Sequence, residues 1–124
     1  MRAKNVLIVD DDRLLVRVIA QSLETSGYKT FTASNGSDAI DLVADQQIDM
    51  IICDIMMPKL SGISFITTIK DVLELDLPVI IISSLETGGQ ITQNLNYKNI
   101  VFLAKPFVYE ELMETVDKLL INVL

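Results

Sequence analysis

The sequence predicts an α/β domain built on a parallel sheet, and three observations carry that reading. Short, almost continuously apolar segments recur along the chain, stretches with helical period separate them, and polar residues able to do chemistry stand where the apolar segments end. Strands covered by helices on both faces read as unbroken apolar runs rather than as alternating ones. Strands of that kind alternating with helices imply right-handed βαβ crossovers.

Val6-Leu7-Ile8-Val9 is the first strand. A helix beginning near Asp12 follows, with Leu15, Val16, Ile19 and Leu23 on one face and Gly27 as its stop. The run from Tyr28 to Thr32 supplies a second strand and Asn35-Gly36 a turn. Ser37 is placed to cap the second helix, whose apolar side is Ile40, Leu42 and Val43. The third strand is the run from Ile48 to Cys53. After Gly62 a third helix would bury Ile63, Ile66, Ile69 and Leu73. The run from Pro78 to Ile82 makes the fourth strand, and the segment from Glu86 to Asn96 should hold a fourth helix. That segment contains Gly88-Gly89, two threonines, two glutamines and two asparagines, with only Ile91 and Leu95 apolar, so a short or mobile helix is expected there. The run from Ile100 to Ala104 is the fifth strand. The last helix, Tyr109 to about Val123, places Leu112, Val116, Leu119 and Val123 on one stripe, with Glu110 and Glu111 in the first turn where the helix dipole favours them.

Composition narrows the function. A chain of 124 residues, half of them hydrophobic, has room for one domain with one core, residues 1–124, and none for a second effector domain. Seventeen acids against ten bases give a net charge of -7, so the phosphate backbone of a nucleic acid would be repelled. The absence of histidine removes the commonest general base and metal ligand and every Ser-His or Cys-His pair. A single cysteine, Cys53, allows no internal disulfide and reads as a buried apolar filler, which fits a reducing cytoplasm. Neither a signal peptide nor a membrane span is expected from the short apolar runs.

In open parallel sheets, sites form at the carboxyl ends of the strands. The first strand ends in Asp10-Asp11-Asp12, the third in Asp54, the fourth in Ser83-Ser84 and the fifth in Lys105-Pro106. If Asp10, Asp11 and Asp54 converge, each carboxylate pair about 4 Å apart repels by roughly 4 kcal/mol at an effective dielectric near 20. Such a cluster needs a cation. Hard oxygen donors with room for water suit Mg²⁺, with Mn²⁺ the alternative, and magnesium normally bridges carboxylates to a phosphate. Lys105 adds a fixed positive charge. Together these groups could carry phosphoryl transfer onto Asp54 itself, with Ser83 hydrogen-bonding the transferred group.

At this point the residues resemble a family. Val9-Asp10-Asp11-Asp12, Asp54 followed by Met57-Pro58 and Gly62, Ser83-Ser84 after an apolar strand, and Lys105-Pro106-Phe107 resemble the receiver domain of two-component response regulators, over essentially the whole chain. The resemblance implies a three-layer, flavodoxin-like fold with five helices and a five-stranded parallel sheet of order 2-1-3-4-5. It assigns Asp54 as phosphoacceptor, Asp10 and Asp11 as the acidic metal pair, the Met56 backbone carbonyl as a further magnesium ligand, Ser83 as switch hydroxyl and Lys105 as the family lysine. It also implies a cis peptide before Pro106. Such a domain is a phosphoacceptor switch, catalysing only its own phosphorylation and dephosphorylation. The implied donor is a sensor histidine kinase or a histidine phosphotransfer protein. The implied output is a downstream protein, a separate effector domain or a phosphorylation-dependent homodimer, signalled through the face of the fourth helix, fifth strand and fifth helix.

Some positions depart from the family pattern. The switch aromatic on the fifth strand is matched by Phe102, without a hydroxyl, and Val108 stands where a capping residue is common, so the last helix would start late. Met56 and Leu85 are apolar and would shade a phosphate from water. Two other functions compete. A pseudo-receiver would bind a protein without being phosphorylated, and a haloacid-dehalogenase-like phosphatase would use the Asp-x-Asp of Asp10 and Asp12. The complete set of acid, hydroxyl and lysine speaks against the first, and the small size and Leu14 against the second. Taken alone, Asp12 is a helix cap, Lys105 a counter-ion, and Phe102 a core residue.

Overall fold

Five strands form where the apolar runs lie: β1 Asn5–Val9, β2 Lys29–Ala33, β3 Met50–Asp54, β4 Val79–Ser84 and β5 Ile100–Lys105. The computed structural model describes residues 3–55, 62–84 and 99–121. All strand pairs are parallel, in the order β2-β1-β3-β4-β5. The later strands run past their apolar runs, because ladder hydrogen bonds use only the backbone: Asp54, Ser83, Ser84 and Lys105 are still paired. The polar ends of the runs are therefore held as rigidly as the core.

Side chains alternate across the sheet. Leu7, Val9, Ile51, Cys53, Val79 and Ile81 enter one core, and Val6, Ile8, Met50, Ile52, Ile80 and Ile82 the other. The first is closed by Ala39 and Val43 of α2, Gly36–Asp45, and by Phe65, Ile66 and Ile69 of α3, Gly62–Thr67, and its continuation. The second is closed by Ile19 and Leu23 of α1, Arg13–Thr25, and by Leu112, Val116 and Leu120 of the C-terminal helix, Tyr109–Ile121. Three layers result, as expected. Among the described residues there are four α-helices; the expected fourth of five, at 86–96, lies outside them. No described helix is long and apolar enough to cross a membrane.

α1 starts and stops as its sequence dictates. The Asp12 side chain caps it, accepting from the Leu15 N–H at 3.2 Å, and Gly27 ends it at a φ of 96° that other residues rarely adopt. α2 corrects the sequence reading. Its cap is Asn35, whose Oδ1 accepts from the Asp38 N–H at 2.8 Å, and Ser37 lies exposed within the first turn. Asparagine serves as well at that position, so the helix begins where the turn ends.

α3 supplies a second correction. It widens over Thr68–Val72 into a π turn, in which Leu73 N–H donates to the Thr68 carbonyl at 2.9 Å, and Leu73 is left 38 % exposed. The extra residue per turn rotates everything beyond it off the 3.6-residue stripe, so Ile66 and Ile69 are buried but Leu73 is not. The C-terminal helix starts at Tyr109, not late, and buries Leu112, Val116 and Leu120, with Leu119 half-buried. Val123 lies outside the described residues.

Candidate functional site

Largely apolar strands deliver the site. β1 and β3 run side by side, Val9 opposite Cys53, so Asp10 and Asp54 leave the sheet together at its carboxyl edge. Asp10 is anchored by its own backbone, whose N–H donates to the Ala33 carbonyl at 3.1 Å. Its side chain is 1 % exposed, with Oδ1 accepting from the Asp12 N–H at 3.0 Å and Oδ2 from Lys105 Nζ at 3.3 Å. The same ammonium donates to Asp54 Oδ2 at 3.2 Å. Lys105 sits on β5, and adjacent strands lie about 4.8 Å apart, so its stem must cross β4 to reach β3 and β1. β4 presents small residues there: Ser83 pairs with Ala104 and Ser84 with Lys105.

Carboxylate oxygens of Asp10, Asp11 and Asp54 all lie within 4.8 Å of one another, the first and last buried and Asp11 exposed. Of the residues predicted to form the site, Asp10, Asp11, Asp54 and Lys105 are brought together. Ser83 is buried, 3 % exposed, one step along β4 from Ile82, the register partner of Asp54. Phe102 is half-buried and packs on the core beneath α2 and α3. The Lys105-Pro106 peptide is cis. Met56 and Leu85 lie outside the described residues.

The charges perturb one another. Burial is the main cause that raises the Asp10 pKa above the ordinary 3.8; the Asp12 N–H and Lys105 pull it back, and Asp54 adds to the rise. Burial alone would lower the Lys105 pKa, but the two carboxylates outweigh it and hold the ammonium above its ordinary 10.5. The buried Cys53 thiol is pushed well up by desolvation, then by Asp54 and Asp10, so it is no nucleophile.

Chemically, this is a dense anionic cluster with one fixed cation, a buried hydroxyl beside it and one acid open to solvent. Its donors are all hard oxygens, which fits a small divalent cation. Reading strand ends found these groups but missed two contributors. The Asp12 backbone N–H holds Asp10, and Arg13 and Arg17 line a cavity that also reaches Asp10. The i, i+4 spacing of those arginines on α1 was the available signal.

Residues 6–117 match the family model of the response regulator receiver domain. The response regulator MprA of Mycobacterium sp. (strain KMS) is 31 % identical over 115 residues, 93 % of this chain and 50 % of that protein. The chain thus spans about half the length of the curated relatives it matches. Among solved structures, the receiver domain of the Francisella response regulator 1452 is 33 % identical, with a TM-score of 0.81 over 94 % of this chain and 95 % of that one. The chemotaxis response regulator CheY4 of Vibrio cholerae is 25 % identical, with a TM-score of 0.82 over 95 % of this chain and 99 % of that one.

Proposed function

The chain belongs to the family of response regulator receiver domains, and on that premise we propose that it is a switch in two-component signalling that takes a phosphoryl group on Asp54. The donor is the phosphohistidine of a sensor histidine kinase or of a histidine phosphotransfer protein. An Asp54 carboxylate oxygen attacks phosphorus in line with the departing imidazole nitrogen. The P–O bond forms as the P–N bond breaks, and the imidazole leaves carrying a proton from water.

The observation that carries this reading is the single ammonium of Lys105, 3.2 Å from Asp54 and 3.3 Å from Asp10. Preorganised there, it stabilises charge that builds on the phosphoryl oxygens in the transition state. Ser83, buried beside the end of β3, donates its hydroxyl proton to one of those oxygens. Asp10, Asp11 and Asp54 are the residues that would hold Mg²⁺, or Mn²⁺ in its place, and the backbone carbonyl of Met56 is assigned to the same role. Exposed Asp11 leaves that site open on one side to water and substrate. A bound ion would supply positive charge against these carboxylates and the incoming phosphoryl group.

Output follows if the phosphoryl group draws Ser83 inward and biases Phe102 and the face of β5, the C-terminal helix and the segment 86–96. Moving such an equilibrium from 1:99 to 99:1 takes about 5.5 kcal/mol of differential stabilisation. The readout belongs to a partner protein, an effector domain or a second copy of the phosphorylated chain. The phosphatase reading is weakened because Asp10 has both oxygens engaged and Asp12 is spent as a helix cap.

Incubation with Mg²⁺ and acetyl phosphate, followed by intact-mass measurement, tests the proposal. One phosphoryl adduct that disappears in Asp54→Asn is the expected result. An adduct on Asp10 would establish the phosphatase, and none at all the pseudo-receiver.

A further inference from the structure

The end of α3 contradicts its own sequence pattern. Ile66, Ile69 and Leu73 stand at the spacing of one helical stripe, yet Leu73 is 38 % exposed and the neighbouring Val72 71 % exposed. The cause is the π turn over Thr68–Val72, in which the Leu73 N–H bypasses the Ile69 carbonyl and donates to that of Thr68 at 2.9 Å. The Ile69 carbonyl is taken instead by the Leu75 N–H at 3.0 Å. We propose that this end of α3 is a conformational device with two registers. The π register, held by Lys70, displays Val72 and Leu73 together, and it exchanges with a regular α register in which Leu73 returns to the core.

Two features weigh against the π register. It leaves the Leu73 side chain partly in water, where the sequence pattern offers it a place beside Ile66 and Ile69. It also leads into Glu74 at a φ of 54°, a left-handed backbone that a residue with a Cβ adopts at a cost. One interaction holds it. Lys70, inside the turn, donates from Nζ to the Leu77 carbonyl at 2.8 Å, with its side chain only 7 % exposed and exposed Asp76 a weak second partner at 3.8 Å. That bond ties the turn to the chain that folds back after it. A tether set against two costs keeps the registers close enough in free energy to exchange. Regularising the turn gives the Leu73 N–H back to the Ile69 carbonyl and turns its side chain inward, so the register decides whether an apolar pair is displayed or withdrawn.

Scalar couplings across hydrogen bonds identify the acceptor of each amide, so they read the register in the intact chain. In the parent protein the Leu73 amide should couple to the Thr68 carbonyl carbon, with relaxation-dispersion exchange centred on the stretch from Ile66 to Leu75. Lys70→Met keeps an apolar stem and removes the donor. It should move the coupling to the Ile69 carbonyl and reduce the contact of the Leu73 methyls with a soluble paramagnetic probe several-fold. Glu74→Gly relieves the backbone cost and leaves the tether in place, so it should retain the Thr68 coupling and quench the exchange. Glu74 is exposed, so that variant should keep its fold and decides the matter even if Lys70→Met folds poorly. Asp54→Asn should alter none of these readings, which stand whether or not Asp54 accepts phosphate. A Thr68 coupling that persists in Lys70→Met, exchange undiminished in Glu74→Gly, or a parent protein without exchange would each overturn the proposal.

Discussion

The two ends of the sheet handle buried polar groups in opposite ways. At the amino end each is closed off by a partner of its own. The Asn5 N–H donates to Asp49 Oδ2 at 2.7 Å, the Asn5 side-chain amide to the Gln47 carbonyl, and Lys70 Nζ to the Leu77 carbonyl at 2.8 Å. At the carboxyl end two carboxylates, Asp10 and Asp54, share one ammonium, and a third, Asp11, lies within 4.8 Å of them. Local pairing makes the first end a clasp. Pooled like charge makes the second a loaded site, whose self-repulsion Lys105 offsets in part and a bound cation would relieve further. The two lysines summarise the difference: burial lowers the pKa of Lys70, while carboxylates raise that of Lys105.

The largest effect should come from removing the shared cation. Lys105→Met should slow phosphorylation by acetyl phosphate about 100-fold, the usual cost of losing one preorganised charge from a transition state. Lys70→Met, at the other end, should leave the rate as it is. Time-resolved intact mass measures both, and a comparable loss in the two variants would erase the distinction between the ends.

Next in size is a pair of acid deletions with opposite signs. Asp49→Ala leaves the Asn5 N–H without its carboxylate and should cost about 1–2 kcal/mol of stability. Asp11→Asn in metal-free buffer should instead stabilise, by at most about 1 kcal/mol because Asp11 is exposed and its repulsion is screened. Urea unfolding of both variants decides the matter. If Asp11→Asn lowered the stability, the carboxyl end would be another clasp.

These contrasts also mark what the sequence makes legible. Apolar runs announce four of the five strands, β2 being the mixed sequence Lys29–Ala33, and because parallel strands start and stop in step, residues that follow the runs meet at one edge. Asp10, Asp54, Ser83 and Lys105 could be read from that alone. The amino-end clasp could not. Lys70 looks like any solvated helix lysine, and its side chain is only 7 % exposed because the segment after the π turn folds back over it. The same turn carried Leu73 out of the core, since a period extrapolated along a helix has no means of foreseeing an inserted residue. Tyr28 offers a third case. Its hydroxyl donates to Asp117 on the C-terminal helix, and burial together with that carboxylate pushes its pKa up to about 12. The partners are 89 positions apart, so no local pattern announces the pair.

The smallest predicted effect is also the most direct comparison of the two ends. Lys105 has a folded-state pKa above its ordinary value, so the stability it contributes is present below 10.5 and is lost as pH rises through the folded pKa. Lys70 has a folded-state pKa below that value, so keeping it charged costs stability, and the cost is relieved as pH rises through the folded pKa toward 10.5. Subtracting each methionine variant from the parent protein removes the tyrosines and the other lysines common to both. Urea unfolding across alkaline pH should then give differences of opposite slope: the advantage of the parent over Lys105→Met shrinks with pH, and its advantage over Lys70→Met grows. Lys70 is held by a carbonyl and only weakly by exposed Asp76, 3.8 Å away, so no carboxylate attraction strong enough to reverse its slope is present. Parallel slopes would mean that the ammonium at the amino end is held by charge after all.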